Sequence, residues 1–191
     1  LSIPLNNLVT MSYDTATGSV TQSDNDTIIT ALQPELSVTK SAAPAGGDTV
    51  IDAAELITYT VDVINSGTAP SYDTVIQDVL PLGLRQGGAT TSSITLVTAG
   101  TSLPLLAPTY DLATGTATWN FDNGTADTYS VPAGETLRLV YTVQSDADLG
   151  PGLTLTNAAQ ALLYYSFDDE AVPTLGTVTG VREIYGPSNL A

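Results

Sequence analysis

Apolar residues recur at every second position in several separate stretches of the chain. Leu36, Val38 and Lys40 share one face of a predicted strand. Glu55, Ile57, Tyr59, Val61 and Val63 share a face of a longer one, with Thr58, Thr60 and Asp62 opposite. Asn65-Ser66-Gly67 then turns the chain, and Thr74-Ile76-Asp78 follows before a stop at Leu80-Pro81-Leu82-Gly83. Ile94-Leu96 and Ala117-Trp119-Phe121 predict shorter strands, and Leu137-Leu139-Tyr141-Val143 another full one. Leu153-Leu155-Asn157-Ala159-Ala161-Leu163 is the longest alternating face. This period of two, with turn residues between segments and no helical period of useful length, predicts an all-β sandwich.

The first 33 residues echo the last 40. Leu5-Asn7-Val9-Met11-Tyr13 has the spacing of Leu155-Asn157-Ala159-Ala161-Leu163. A turn beginning at Asp14 and a strand over Thr27–Leu32 parallel a turn at Asp168-Asp169 and a strand over Gly180–Tyr185, and each pair ends at a proline, Pro34 or Pro187. The echo predicts a tandem repeat of roughly 150 residues. Residues 1–33 would be the terminal hairpin of a preceding repeat or a linker, and residues 34–191 one repeat domain. The alternative is that two β-hairpins look alike.

Lys40 is the only lysine, and its parity with Leu36 and Val38 points it inward. Lysine is almost never buried without a partner. Asp78 shares a face with Ile76, and Asn157 with Leu155 and Ala159, so both also point inward. Burial lowers a lysine pKa and raises that of an aspartic acid. A neutral Lys40 amine is a nucleophile, and a protonated Asp78 can polarise the Asn157 carboxamide. Attack with loss of ammonia gives a Lys40–Asn157 isopeptide crosslink, with Asp78 as the acid and base. Glu55 lies on an inward face too and competes for the acid role. The plainer reading has Lys40 snorkelling to water at a strand end.

Composition narrows the function. The chain has 191 residues, with 4 Lys+Arg against 20 Asp+Glu, no His, no Cys and a formal net charge of -16. Lacking His and Cys, it can build neither a Ser-His-Asp triad nor a His/Cys zinc site. So few cations argue against nucleic acid and against anionic membranes. No run of about 18 apolar residues predicts a membrane span, and no basic segment opens a signal peptide; the sequence reads as a piece of something longer. With no disulfide available, another staple is needed outside a cell.

The same residues carry a resemblance. The segments ELSVTKSAAP, ELITYTVDVINSGTAPSYDTVIQDVLPLGL and LTLTNAAQA resemble the conserved-repeat domain of bacterial surface proteins over about residues 34–165. Its elements match Lys40, Tyr59, Asn65 with Gly67, Asp78 with Leu80-Pro81 and Gly83, and Leu155 with Asn157. The resemblance implies an immunoglobulin-like sandwich, repeated in long extracellular stalks and adhesins. Related Cna-type domains form Lys–Asn isopeptide bonds with an acidic helper, in the order found here. The pattern departs where Ala54 replaces a glycine, and the N-terminal hairpin and the 99–130 segment have no counterpart in it.

Other features lead less far. The acids of Ser23-Asp24-Asn25-Asp26-Thr27 and of Asp168-Asp169-Glu170 are candidates for Ca²⁺, with Asp24, Asp26, Asp168 and Asp169 as oxygen ligands; solvated turns explain them as well. No cofactor is required. The expected partners are neighbouring repeats of the same polypeptide, with the adhesive target open. A rival function is a glycan- or protein-binding module using Tyr110, Trp119, Phe121 and Tyr129, although Trp119 and Phe121 alternate like core residues. No carboxylate pair marks a glycosidase, and a turnover enzyme is not expected.

Overall fold

The computed structural model describes residues 3–15, 18–47, 50–122, 128–169, 174–175, 178–179 and 182–191; for most of the described residues up to 31, and for 174–175 and 178–179, the backbone alone is described. Among the described residues there are fourteen strands and no helix. They are β1 (Ile3–Thr15), β2 (Gly18–Ala31), β3 (Leu36–Pro44), β4 (Leu56–Asn65), β5 (Tyr72–Val79), β6 (Ala89–Leu96) and β7 (Thr101–Leu103). Then follow β8 (Thr109–Asp111), β9 (Thr116–Asn120), β10 (Thr136–Gln144), β11 (Ala158–Tyr165), β12 (Thr174–Leu175), β13 (Val178–Thr179) and β14 (Ile184–Tyr185).

Two five-stranded antiparallel sheets hold the core. One runs β3-β4-β10-β6-β7 and the other β14-β11-β5-β9-β8. Without β7, β8 and β9, the strand orders are those of an immunoglobulin-like sandwich. The segment between residues 99 and 130, which had no counterpart in the repeat pattern, supplies β7 and the β8–β9 pair. Both extend existing sheets at their edges.

The alternation is what builds the core. Ile57, Tyr59, Val61 and Val63 face inward from β4, and Leu137, Leu139, Tyr141 and Val143 do so from β10. Ile76 and Asp78 of β5 and Ala117 and Trp119 of β9 meet them from the second sheet. Each buried aliphatic side chain of this size contributes about 1.5–3 kcal/mol. The turn after β4 is fixed by Asn65, whose buried amide donates to the carbonyls of Ala69 and Val131, both at 2.8 Å. Gly67 beside it leaves no room for a side chain, since a Cβ there would lie 2.4 Å from the Gln33 carbonyl oxygen and from the Glu35 nitrogen.

Three expectations change. The long face predicted from Leu153 begins as a strand only at Ala158; Pro151 and Gly152, the latter at φ +77°, hold the preceding stretch in an irregular loop and leave Leu153 exposed. Within β11 the pairing to β5 slips after Ala161, so that Tyr164, not Leu163, turns inward. In the N-terminal segment, Asp14 continues β1 opposite Ser19, and Asp24 and Asp26 lie mid-strand in β2, opposite Val9 and Asn7. Residues 16–17, between β1 and β2, lie outside the described residues, and β1–β2 forms a two-stranded sheet of its own. Gly180 also lies outside the described residues; the strand expected there is described only as β14, paired with the end of β11.

Candidate functional site

β3 is the edge strand of its sheet, paired with β4 so that Lys40 stands opposite Val61. Its side chain keeps the inward parity of Leu36 and Val38 and crosses between the sheets to β5. There the Lys40 Nζ lies 2.7 Å from Oδ2 of Asp78, with side-chain exposures of 5% and 0%. The lysine does not snorkel. Its ammonium also lies 4.5 Å from the ring centre of Tyr59 and 5.9 Å from that of Tyr141, a position that favours a cation through the ring quadrupoles.

Asn157 reaches the same carboxylate from the run-in to β11. Its Nδ2 lies 3.5 Å from Asp78 Oδ2. The Tyr141 hydroxyl donates to that oxygen as well. Tyr141 is fully buried, stacked on Tyr59 at 5.4 Å and against Trp119 at 4.8 Å. Three donors thus converge on Asp78 Oδ2. In contrast, Asp78 Oδ1 and Asn157 Oδ1 are both buried without a hydrogen-bond partner. Orphaned buried acceptors cost free energy that most folds avoid, and one added proton between these two groups would relieve both.

The electrostatics run in the direction the chemistry needs. Burial lowers the Lys40 amine, and the charge and hydrogen bond of Asp78 only partly oppose it. Burial raises the Asp78 carboxyl, against the opposing charge and hydrogen bond of Lys40. Burial likewise raises the Tyr59 phenol, opposed by a hydrogen bond from Asn157. A dry interior favours a neutral amine beside a neutral acid over the ion pair.

Glu55 is not brought to this site. It precedes β4, and its carboxylate caps a loop, accepting from the backbone nitrogens of Gly46 at 2.6 Å and Asp52 at 2.8 Å. The period-two pattern gave it inward parity, but the strand starts one residue later. Of the four acids proposed for calcium, the side chains of Asp24 and Asp26 lie outside the described residues. Asp24 and Asp26 belong to β2, while Asp169 joins Asp73 and Asp122, whose carboxylate oxygens lie within 4.8 Å of one another. Within that trio, Asp73 is paired with Arg182, whose guanidinium stacks 3.4 Å from the Tyr165 ring centre. Asp168, two residues beyond the buried Ser166, is itself buried. The aromatic residues considered for ligand binding serve packing: Trp119, Phe121 and Tyr129 are buried, and Tyr110 is half-buried with its hydroxyl on the Arg85 carbonyl.

Sequence reasoning missed the two tyrosine hydroxyls. A tyrosine at a fully inward position of a central strand carries a signal of its own, because its hydroxyl must find a polar partner inside.

No family model matches the chain, and no curated protein does. Among solved structures, it is similar to a membrane-anchored protein of Corynebacterium diphtheriae, at 11% identity and a TM-score of 0.39, over 95% of this chain and 42% of that one. It is also similar to BcpA, the major pilin subunit of Bacillus cereus, at 10% identity and a TM-score of 0.39, over 94% of this chain and 47% of that one. A variant of the same pilin gives 10% identity and a TM-score of 0.41, with the same coverage. The chain therefore spans less than half the length of each.

Proposed function

We propose that residues 34–191 are a structural module of a bacterial surface stalk or adhesin, clamped by a self-formed isopeptide bond between Lys40 and Asn157. The observation that carries this reading is the buried trio of amine, acid and carboxamide, with Lys40 Nζ 2.7 Å and Asn157 Nδ2 3.5 Å from one oxygen of Asp78. Asp78 takes a proton from the Lys40 ammonium. The freed lone pair attacks Asn157 Cγ, and the acid supports the oxygen that gains charge. The C–N bond to the amide nitrogen breaks, and ammonia leaves. The reaction consumes its own residues, so it runs once per chain and is not turnover.

Residues 1–33 fit this reading as the terminal hairpin of a neighbouring repeat, on the strength of the Leu5-x-Asn7 echo. The crosslink ties the edge strand of one sheet to the run-in of β11 in the other. By analogy with a disulfide, closing a loop of about 100 residues stabilises by roughly 4–5 kcal/mol. Unlike a disulfide, it needs no oxidant. Intact-mass spectrometry of the denatured chain tests the proposal. The expected mass is about 17 Da below that of the sequence, for one ammonia lost, in the wild type but not in Lys40→Ala or Asp78→Ala. An unshifted wild-type mass rules the crosslink out.

A further inference from the structure

We infer that Tyr141 is a positioning residue for this coupling: its hydroxyl, held on Oδ2 of Asp78, fixes which oxygen of the protonated carboxyl carries the proton, placing it on Oδ1 to face the Asn157 carboxamide. The inference rests on the crosslink reading above and deepens it. A carboxylic acid accepts best at its carbonyl oxygen and donates from its hydroxyl oxygen. A permanent donor on one oxygen therefore makes that oxygen the carbonyl. Tyr141 is such a donor, because its ring is wedged between Tyr59 and Trp119 and fully buried, so the hydroxyl cannot swing away.

Neither of the other two donors on Oδ2 can do this work. Lys40 must leave its hydrogen bond to attack, and Asn157 is itself transformed. The remaining oxygen, Asp78 Oδ1, has no hydrogen-bond partner. The Val79 backbone N–H favours the charged carboxyl weakly, but makes no hydrogen bond to Oδ1. Asn157 Oδ1 is equally bare. A proton on Asp78 Oδ1 joins the two orphaned acceptors, and joins them where charge develops when the amine attacks.

The proton count closes. The ammonium gives one proton to Asp78, the carboxyl lends it to Asn157 Oδ1 as the C–O π electrons move there, and the second amine proton passes through Asp78 to the leaving nitrogen. One C–N bond forms and one breaks; as the carbonyl re-forms, the proton lent to Oδ1 returns to Asp78, and ammonia departs with Asp78 left as the neutral acid.

The arrangement has a pH signature. Coupling needs one proton shared between Lys40 and Asp78, so its rate falls on the acid side, where both hold one, and on the alkaline side, where the acid loses its own. The titratable groups facing Asp78 are Lys40 from β3, Tyr59 from β4 and Tyr141 from β10; β9 offers Ala117 and Trp119, and β11 offers Ala159. Removing the Tyr141 hydroxyl removes a donor that favours the carboxylate, so the acid limb moves to higher pH. A residue that served packing alone would lower the rate and leave the limb in place.

The experiment follows the mass of the full chain with time after cell-free synthesis is stopped, at about pH 5 to 9. Tyr141→Phe keeps the ring, and is expected to couple about tenfold or more slowly with its acid limb displaced upward. If Tyr141→Phe does not fold, difluorotyrosine at position 141 supplies a stronger donor of nearly the same size, and moves the limb to lower pH. An unmoved limb in the folded variant overturns the role of Tyr141, whether or not the rate falls. A wild-type chain that never loses ammonia overturns the crosslink, and this inference with it.

Discussion

Lys40 and Asp78 shift in opposite directions for one reason, since each is charged in water and each loses that water on folding. A chain that cannot couple should show the consequence in its pH dependence. In Asn157→Ala the pair persists. The folded pKa of Asp78 lies above its ordinary value of 3.8, so the native state keeps a proton that the unfolded chain has released. Stability from this group is therefore lost as pH rises through the window that opens at 3.8. Lys40 has the reverse sign: its folded pKa lies below 10.5, so its contribution recovers as pH rises towards that value. Urea midpoints of Asn157→Ala should fall as pH rises from the carboxylate range, and the double variant Asn157→Ala/Asp78→Asn should lack that fall. Parallel profiles would contradict the assignment. A second residue-scale effect sits at Ala54, whose φ of 59° is left-handed where the repeat pattern has glycine. Ala54→Gly should raise stability by about 0.5–1 kcal/mol in chemical denaturation, relief of strain outweighing the added freedom of the unfolded chain.

Among the elements, the edge strand β3 is protected by side chains as much as by backbone. The Asn189 amide accepts from the Val38 nitrogen at 2.7 Å and donates to the Val38 carbonyl at 2.8 Å, imitating a neighbouring strand. The Tyr164 hydroxyl accepts from the Leu36 nitrogen at 3.2 Å. Asn189→Ala should cost about 1–2 kcal/mol in urea denaturation while leaving the ammonia loss intact; no measurable cost would show that water replaces the amide freely. The main strands of the sandwich were legible because their alternation is driven by burial on one face: β3, β4, β5 and β10 lie where Val38, Tyr59, Ile76 and Leu139 predicted. The Lys40, Asp78 and Asn157 parity was legible for the same reason, because a polar residue in an apolar register stands out. The start of β11 was not legible, since Leu153 and Leu155 continue the alternation through a loop that Pro151 and Gly152 keep out of the sheet. Nor was Glu55, whose parity is right but whose carboxylate is used by backbone nitrogens beyond the strand end. The Asn189 clasp left no periodic trace, because it joins residues far apart in sequence through a single side chain.

Across the whole molecule, residues 33 and 191 lie towards opposite ends of the sandwich. Gln33 accepts from the nitrogens of Thr68 and Ala69 in the turn before β5. Ala191 exchanges two hydrogen bonds with Ala159 near the start of β11, at 2.7 and 2.9 Å. Leu36 and Ala191 are thus met by Tyr164 and Ala159, about 17 Å apart along β11. A pull on these two positions reaches Lys40 after a few residues, crosses the proposed bond to Asn157, and continues through β11 to the tail. Single-molecule pulling on the wild type should release only the segments outside the loop. Lys40→Ala should release the loop of more than 100 residues as well, at about 3.6 Å of contour each; equal contour lengths would contradict the clamp. The most direct measurement is sequencing by tandem mass spectrometry of peptides from the digested wild-type chain. The account predicts one branched species in which the Lys40 side chain is joined to the Asn157 side chain with one ammonia missing. Recovery of Lys40 and Asn157 only in separate, unmodified linear peptides would contradict it.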